Sequence, residues 1–479
     1  MDTIDYAAAQ RELDGLPEWE PPATDEAPPD EAPLEYRTSA PVEKISQRNK
    51  LITACSFAMF WQDWGDSACA TVLVKDHHEH HPVRSQFFRN WLLMTAGRLF
   101  PDIINGQSRP GSFGKTAVED ALCRCEAEAA YSEKKHDAPL RVVEHDGHVY
   151  LDLGTDDWRV VKISLSGWRI QPAAPVPIMR ARRAHPLPTP VVRGAVSELR
   201  PFLNVADESG FRLVVLWLLA ALSGRGPYPI LALSGEQGTG KSTFSRMLRR
   251  LVDPVGAGIL QPPKDERDLI AVARGNHVLA FDNVSSLSAD LADSLCRLST
   301  GGDLGGRRLY TNDELATFSA YRPIILNGIP DLATRGDLAS RALFIRLQPI
   351  ERRQTEADLW RDFNAVAGRI LGGLLTVLAE ILTMRDKTRL PADAADIRMA
   401  DLAVMALSAE RPLGWPAGSA LEALRGNVDK AVALLIEMDP VAAIIQGLLA
   451  RYGSFDGLAT DIYERCLSGI GDDAGHPSV

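Results

Sequence analysis

The 479-residue sequence predicts an α/β fold, because short apolar runs typical of buried strands are separated by segments with helical periodicity. One apolar run, residues 228–234, is followed directly by a glycine-rich loop and then by apolar residues at helical spacing over residues 243–251. A second run, residues 276–282, ends in an aspartate, and a third, residues 321–327, ends in an asparagine. The order of strand, glycine loop and helix predicts a phosphate-binding centre.

The glycine-rich loop matches the pattern G-x-x-x-x-G-K-[ST] at every fixed position. Its members and the residue that follows them are Gly235, Glu236, Gln237, Gly238, Thr239, Gly240, Lys241, Ser242 and Thr243. Glycines allow backbone N–H groups to turn inward around phosphate oxygens, and the helix N-terminus adds positive potential. Lys241 is expected to reach the β- and γ-phosphates and Ser242 to ligate Mg²⁺, so ATP and Mg²⁺ are the predicted cofactors. The bland alternative, a chance glycine turn, is disfavoured by the flanking strand and helix.

The polar residues at the ends of the two later strands are candidates for the same centre. A buried strand that delivers Asp282 beside the loop would let this carboxylate hold Mg²⁺ through its water shell. The alternative is a core strand that happens to end in an acid. Asn327 either orients the attacking water or caps the turn that follows it, and the spacing does not choose between these roles.

Taken in order, the loop, the strand ending in Asp282, residues 298–310 and the strand ending in Asn327 resemble the superfamily three helicases of the AAA+ class. The resemblance is greatest to primase-helicase ATPases of the phage and poxvirus types and to ATP-binding proteins of prophages. It covers residues 205–350 well and residues 45–200 and 351–465 more loosely. It implies that residues 235–242 are the Walker A loop, that Asp282 belongs to Walker B and that Asn327 is sensor 1.

The same resemblance implies how the protein assembles and what it binds. The segment Gly301–Tyr310 would carry a DNA-facing hairpin, with Arg307, Arg308 and Tyr310 as DNA-binding candidates. Arg341 looks like the arginine finger that such enzymes insert into the site of a neighbouring subunit. A homo-oligomeric ring, such as a hexamer, that binds single-stranded DNA and meets other replication proteins is therefore expected.

One position departs from the pattern of the AAA+ class. Many of these enzymes have an acidic residue after the Walker B aspartate, where it acts as a base toward water, but this chain has Asn283. An amide can orient water and cannot take its proton. The base is therefore Asp282 or another acid, with Asp303, Asp313 and Glu314 as candidates, or hydrolysis is slow.

Charge does not exclude nucleic acid as a partner. The net charge is −11, but residues 1–44 hold twelve acidic and three basic residues, so this tail accounts for −9 of it. The tail also holds seven prolines and is expected to be disordered. The N-terminus lacks the features of a secretion signal, and the longest apolar run, Leu213–Leu222, is about half of what spans a bilayer. A cytoplasmic protein without a membrane partner is predicted.

The chain is predicted to contain an acidic tail (1–44), an N-terminal α+β domain with a linker (45–202), a P-loop ATPase domain (203–350), a helical domain (351–435) and a winged-helix-like segment (436–479). Within the second of these, Asp146 and Gly147 fit a hairpin turn between two strands. The cluster His77–His81 is expected at a solvated hairpin tip or loop. Metal binding there is disfavoured because consecutive side chains on a strand point in opposite directions.

Two functions remain open from the sequence. The first is an ATP-hydrolysing, ring-forming DNA helicase for replication of a phage or another mobile element. The second is a nucleotide-dependent regulatory or defence ATPase that assembles without unwinding DNA. The segment Gly301–Tyr310 favours the first function, whereas Asn283 and the weak overall basicity favour the second.

Overall fold

The computed structural model describes residues 45–105, 107–256, 258–284, 287–307, 315–328, 336–350, 353–394, 397–427, 440–454, 457, 460–461 and 463–464. The acidic tail predicted for residues 1–44 lies outside these ranges. Contacts divide the chain after Ser46, and the described residues from Gln47 onward belong to one unit. Its architecture is mixed α/β, with three four-stranded sheets and two two-stranded ones among the described residues.

The N-terminal part of this unit packs three helices against a four-stranded sheet in the order β3-β2-β1-β6. Strands β1, β2 and β3 are antiparallel, and β6 pairs with β1 in parallel. The core between sheet and helices is apolar, with Phe60, Phe88 and Leu122 all buried. The elements are α1 (Gln47–Cys55), β1 (Ala58–Asp63), β2 (Ala68–Val74), β3 (His77–Pro82), α2 (Gln86–Leu99), β4 (Asp102–Ile104), β5 (Gln107–Arg109), α3 (Lys115–Ala130) and β6 (Lys135–His136).

The histidine cluster is not a hairpin tip or loop, as the sequence suggested, but strand β3. It pairs along its whole length with β2, and the turn lies before it, where Lys75 has a φ of 55°. Polar residues usually signal loops, yet Glu79 is buried here because its carboxylate bonds His77 and His81 on either side. These mutual contacts allow a polar strand at the edge of a sheet.

A second sheet is antiparallel throughout, in the order β10-β9-β8-β7. The hairpin turn predicted at Asp146 and Gly147 is confirmed, since both residues have positive φ, 49° and 72°, as a two-residue hairpin turn requires. The strands are β7 (Val142–His145), β8 (His148–Asp152), β9 (Val160–Ser164) and β10 (Gly167–Gln171).

The third sheet is parallel throughout and has the order β12-β15-β11-β16. All four residues of β15 are buried, as expected for a strand covered on both faces. The chain around it forms a 3-10 helix (Val196–Phe202), α4 (Glu208–Leu222), β11 (Ile230–Ser234), α5 (Lys241–Val252), α6 (Glu266–Ala273), β12 (Leu279–Phe281), α7 (Ala289–Thr300), β13 (Asp303–Arg307), β14 (Leu315–Ser319), β15 (Ile324–Asn327), α8 (Gly336–Ala339) and β16 (Ala342–Arg346).

The C-terminal part is helical, as predicted, with α9 (Glu356–Met384), a 3-10 turn (Ala392–Ala394), α10 (Ala400–Leu413), helical residues 419–427 and α11 (Pro440–Tyr452). Helix α9 is long and apolar enough to cross a membrane by length and composition, but 67% of its most apolar window is buried in the protein. One glycine explains part of this packing. A Cβ on Gly372 would overlap the carbonyl oxygen of Val191, and because glycine has no Cβ, the segment before the 3-10 helix Val196–Phe202 can approach α9 closely.

One apolar core has members from Val142 to Leu424 and includes most of helix α4, namely Phe211 and residues 213–222. It therefore contains residues from the predicted N-terminal, ATPase and helical domains. The predicted boundaries at 202, 350 and 435 stay predictions. Helix α11 lies in the segment predicted to be winged-helix-like, and most of that segment after residue 454 lies outside the described residues.

Candidate nucleotide-binding site

The glycine-rich loop connects the carboxyl end of β11 to the first turn of α5, which begins at Lys241. Gly235, Gly238 and Gly240 have φ values of 147°, 84° and 78°, which side-chain-bearing residues rarely adopt. A Cβ on Gly235 would also lie 3.0 Å from both the Leu347 carbonyl oxygen and the Thr239 hydroxyl. The loop needs these glycines for its backbone conformation and for the close approach of the segment that follows β16.

Lys241 and Thr239 both bond the backbone of the loop itself. The Lys241 Nζ donates to the carbonyl oxygens of Gly235 at 2.8 Å and Glu236 at 2.9 Å. The Thr239 hydroxyl donates to the Glu236 carbonyl at 2.9 Å, and Thr239 is buried. The ammonium group therefore lies over the loop, where the motif places a phosphate ligand.

Three predicted site residues form one hydrogen-bonded cluster at the carboxyl ends of the strands. The Ser242 Oγ donates to Asp282 Oδ2 at 2.7 Å, and the Asn327 Nδ2 donates to Asp282 Oδ1 at 3.2 Å. Asn327 is buried, and its Oδ1 accepts from the Ser245 hydroxyl at 2.8 Å. Both oxygens of the Asp282 carboxylate are therefore oriented by residues from two other elements, α5 and β15.

The backbone explains why these side chains meet. Residues at the ends of neighbouring strands are joined by hydrogen bonds from Gly328 N to the Leu233 carbonyl at 3.2 Å and from Val284 N to the Asn327 carbonyl at 2.9 Å. In the strand order β12-β15-β11-β16, the chain runs from β11 to β12 at one edge of the sheet. From β15 it runs in the opposite direction, past β11, to β16 at the other edge. Ligands of open α/β sheets bind where connections diverge in this way, at the carboxyl ends of the strands.

Sequence reasoning missed Asn204, which ties three segments of this region together. Its Nδ2 donates to the carbonyl oxygens of Thr239 at 2.8 Å and Gln348 at 2.7 Å. The backbone carbonyl of Asn204 accepts from Gln348 N at 2.8 Å. Asn204 thereby fixes the loop against the segment after β16. No local pattern signals this role, because its partners lie 35 and 144 residues away.

Asn283, the departure from the AAA+ pattern, is exposed and has a φ of 58°. Asparagine tolerates this left-handed conformation better than most residues, so the backbone itself favours Asn at this position over Glu.

Of the candidate bases, the structure describes Asp303, which does not belong to the cluster. Asp303 begins β13, just after Gly301, which packs against the ring of Tyr321 before the amino end of β15. Tyr321 is six residues, or about 20 Å of extended strand, from Asn327. Asp313 and Glu314 lie outside the described residues. Asp282 is the carboxylate that the described residues place in the cluster.

Arg341 lies at the opposite end of the sheet from the loop of its own chain. Its carbonyl accepts from Ile230 N at 2.9 Å, at the amino end of β11, about 17 Å of strand from Gly235. Its side chain is 21% exposed and pairs with Asp337 at 3.6 Å, and Asp337 also pairs with Arg398 at 3.1 Å. The following strand, β16, is the outermost of the sheet, with Asn427 bonded to its edge. Arg341 therefore does not reach its own loop, and the local ion pair that competes with a finger role is present.

The predicted DNA-facing segment is a β-hairpin in the part that the structure describes. Strand β13 pairs antiparallel with β14, and Gly305 N donates to the Glu266 carboxylate at 3.0 Å, which fixes the hairpin on α6. Arg308, Tyr310 and the side chain of Arg307 lie outside the described residues, so their role as DNA ligands stays a prediction.

Comparison with known proteins gives one family match. Residues 196–431 match the family described as the actinomycete integrative conjugative element replication protein. This region of the chain is similar to a replication protein of a mobile element. It contains the loop, Asp282, Asn327, Arg341 and Asn204, whereas the N-terminal sheet lies outside it.

The other comparisons add little. No curated protein matches the chain. A solved apo structure of the NrS-1 C-terminal region is similar at 11% identity and a TM-score of 0.39, over 87% of this chain and 85% of that one. A second structure of the same region, covering its residues 305–718, gives 10% identity and a TM-score of 0.33 over 80% and 93%. We draw on the family match alone.

Proposed function

We propose that the protein is an ATP-hydrolysing motor, a ring-forming DNA helicase that acts in replication of a mobile element. The observation that carries the proposal is the cluster of Ser242, Asp282 and Asn327 beside a glycine loop with three positive-φ glycines. The similarity of residues 196–431 to a replication protein supports the biological setting.

The residues of the cluster suit a nucleotide and its metal. A hydroxyl and a carboxylate are oxygen donors of the kind that Mg²⁺ prefers, and the Ser242–Asp282 hydrogen bond holds them within one ion's reach of each other. When bound, Mg²⁺ supplies charge neutralisation at the phosphates. The loop N–H groups and Lys241 bind phosphate oxygens, Ser242 and Asp282 hold the metal, and Asn327 orients water through its amide.

Arg341 completes the site from a neighbouring copy of the chain in this proposal. Because it lies at the amino end of the sheet, it can stabilise charge on a transferring phosphoryl group only in the loop of another subunit. Hydrolysis therefore requires a closed homo-oligomer, with a hexameric ring as one form.

The alternative is a regulatory or defence ATPase that switches assembly without unwinding DNA. Asn283 favours it, because an exposed amide after Asp282 leaves the cluster without a second carboxylate and predicts slow hydrolysis. The two functions differ in whether single-stranded DNA accelerates ATP turnover.

The test compares wild type with Lys241→Ala in two assays: ATP turnover with and without a single-stranded oligonucleotide, and displacement of one strand from a forked duplex. Turnover that rises with DNA and is accompanied by strand displacement supports the helicase. ATP turnover that is the same with and without DNA supports the regulatory or defence ATPase. Wild-type turnover no greater than that of Lys241→Ala would overturn both.

A further inference from the structure

The N-terminal sheet, which lies outside the matched family region, borders a cavity of about 260 Å³. Its walls come from the N-terminal sheet, from the antiparallel sheet of β7 to β10 and from the segment 173–178 that follows β10. Five aromatic or imidazole rings line it, those of Trp61, His78, His80, His136 and Trp158. Ligand cavities favour junctions of this kind and are largely apolar with a few placed polar groups.

Polar groups that line this cavity are held in place by hydrogen bonds to one another. The Trp61 indole N–H donates to the Thr71 hydroxyl at 3.1 Å, and the same hydroxyl bonds His80 Nδ1 at 2.8 Å. Burial lowers the pKa of His80 to about 4, so the imidazole is neutral near pH 7. A neutral imidazole offers one donor and one acceptor, and no described residue bonds the second ring nitrogen.

Trp158 is also fixed. The Arg180 guanidinium lies 3.9 Å from the centre of its ring and makes two bonds to Asp152, at 2.8 and 2.6 Å. Trp158 has a φ of 56°, an outlier for a bulky residue. Such strain persists where surrounding contacts fix the residue and is concentrated at binding sites. Arg180 thereby joins two residues that line the cavity, Asp152 and Trp158.

A second, more open hollow of about 610 Å³ adjoins the cavity, because Met59 and Lys134 line both. It lies on the end of α3 and is lined by Arg124, Glu128 and Tyr131 as well. Tyr131 is 91% exposed, which is unusual for so large a ring. The hollow therefore holds an exposed tyrosine and two cations, and it adjoins the cavity with aromatic walls; we call the two together the strip.

We propose that this strip, from Arg124 and Tyr131 through Lys134 to the cavity, binds single-stranded DNA. Stacking platforms combined with a cationic track are how proteins bind single strands without sequence preference. Tyr131 stacks one base, Lys134 and Arg124 meet the backbone phosphates, and the cavity takes one unpaired base. Its volume is below the range of about 300–1,000 Å³ for drug-sized ligands, which suits a single planar group. A paired base cannot enter it, so duplex DNA is disfavoured.

The choice of DNA as ligand rests on the proposed replication function, but the binding site itself does not depend on ATP hydrolysis. The strip would give the chain a DNA contact separate from the hairpin of β13 and β14. It would hold the single strand on a part of the protein that does not belong to the nucleotide site.

The test is fluorescence anisotropy of a labelled 20-residue oligodeoxythymidine without nucleotide. Tyr131→Ala should weaken binding about 5- to 100-fold, since stacking on an aromatic ring is of that strength. Tyr463→Ala is the matched control, because it removes another exposed tyrosine, 64% accessible, outside the strip. Lys134→Ala should lower the salt slope of binding by about 0.7, whereas Lys387→Ala should not.

Three outcomes separate this proposal from its competitors. If Tyr131→Ala and Lys134→Ala bind the oligonucleotide as tightly as their controls, the proposal is wrong. The strip would then be a protein-docking surface. Photocrosslinks from an iodouracil-containing oligonucleotide to peptides with Trp61, His78 or His136 would place a base in the cavity, and crosslinks only elsewhere would contradict that. ATP turnover without DNA should be unchanged in Tyr131→Ala. Failure of the proposed ATPase activity and failure of DNA binding by the strip are therefore distinguishable.

Discussion

The two ends of the parallel sheet are built differently. At the carboxyl end, Ser242 and Asp282 are partly accessible and bond one another and Asn327. At the amino end, a charged cluster is fully enclosed: Asp253 accepts from Arg141 at 3.1 Å and from the backbone of His277 at 2.8 Å. The cluster at the carboxyl end is accessible to a ligand, whereas the Asp253 cluster at the amino end is closed by its own ion pairs.

This difference indicates which group in the proposed reaction a neighbouring copy of the chain must supply. The carboxyl end holds donors for metal and phosphate, but the arginine assigned to the reaction is at the amino end. In the proposed function, a single chain presents half of the site at each end, and head-to-tail contact between copies would join them.

Arg341→Ala should lower ATP turnover about 10³-fold while ATP binding is retained, because a finger supplied in trans stabilises charge only on the transferring phosphoryl group. Mixing Arg341→Ala with Lys241→Ala should restore part of the activity, since the Lys241 variant contributes its arginine to the intact loop of its neighbour. Turnover of the mixture is the measurement.

The control for Arg341 is Asp337→Asn, which removes the competing ion pair and keeps the arginine. Turnover close to wild type in this variant supports a role in trans. If Asp337→Asn loses as much activity as Arg341→Ala, or if mixed oligomers form and stay inactive, the arginine acts through its local pair and the separation of the two ends is wrong.

Asp282→Asn should lower Mg²⁺-dependent turnover about 10²-fold or more, with nucleotide binding retained, because the amide cannot supply the negative charge that holds the metal. Replacing the Asn327 contact alone, with Asn327→Ala, should cost less, since the carboxylate remains. ATP turnover over a range of Mg²⁺ concentrations is the measurement, and Asp282→Asn should need more Mg²⁺. A normal Mg²⁺ dependence would mean that the metal acid lies elsewhere.

The sequence predicted the carboxyl end better than the amino end for a physical reason. The loop residues are contiguous, and Asp282 and Asn327 each end a recognisable apolar run, so local patterns suffice. Asn204 was not predicted because its partners are distant in sequence. The enclosed Asp253 cluster was not predicted because its members come from three separate segments. The polar strand β3 was misassigned because the mutual bonding of His77, Glu79 and His81 has no signature in composition.

Asn283 offers a test of whether the carboxyl end lacks a base. Asn283→Glu places a carboxylate there but forces a longer side chain into a backbone with a φ of 58°, at a cost of about 1 kcal/mol. Asn283→Asp adds the charge without most of that strain, because Asp tolerates this region. Turnover should rise more in Asn283→Asp than in Asn283→Glu, with thermal denaturation reporting the strain. A fall in both variants would show that another acid already serves.

The smallest expected effect concerns the enclosed amino end and its dependence on pH. Burial lowers the pKa of His277 to about 4, although Asp253 favours the charged form, and its Nε2 donates to the Ala221 carbonyl at 2.9 Å. In the unfolded chain this histidine titrates near pH 6.5, so between pH 6.5 and 4 the unfolded state binds the proton and the folded state does not. Stability contributed by neutral His277 is therefore complete above pH 6.5 and is lost as the pH falls toward 4.

The pKa of the half-buried His80 is lowered in the same direction, so the wild-type protein should lose stability from both residues over the same pH range. His277→Gln keeps a donor for the Ala221 carbonyl but does not titrate. Between pH 7.5 and 4.5, its free energy of unfolding should fall by about 2 kcal/mol less than that of wild type. The measurement is the free energy of unfolding in urea at the two pH values. Comparing each protein with itself removes the basal cost of the substitution. Equal losses in both proteins would show that His277 is not held neutral by burial and that protons reach the amino end as readily as the carboxyl end.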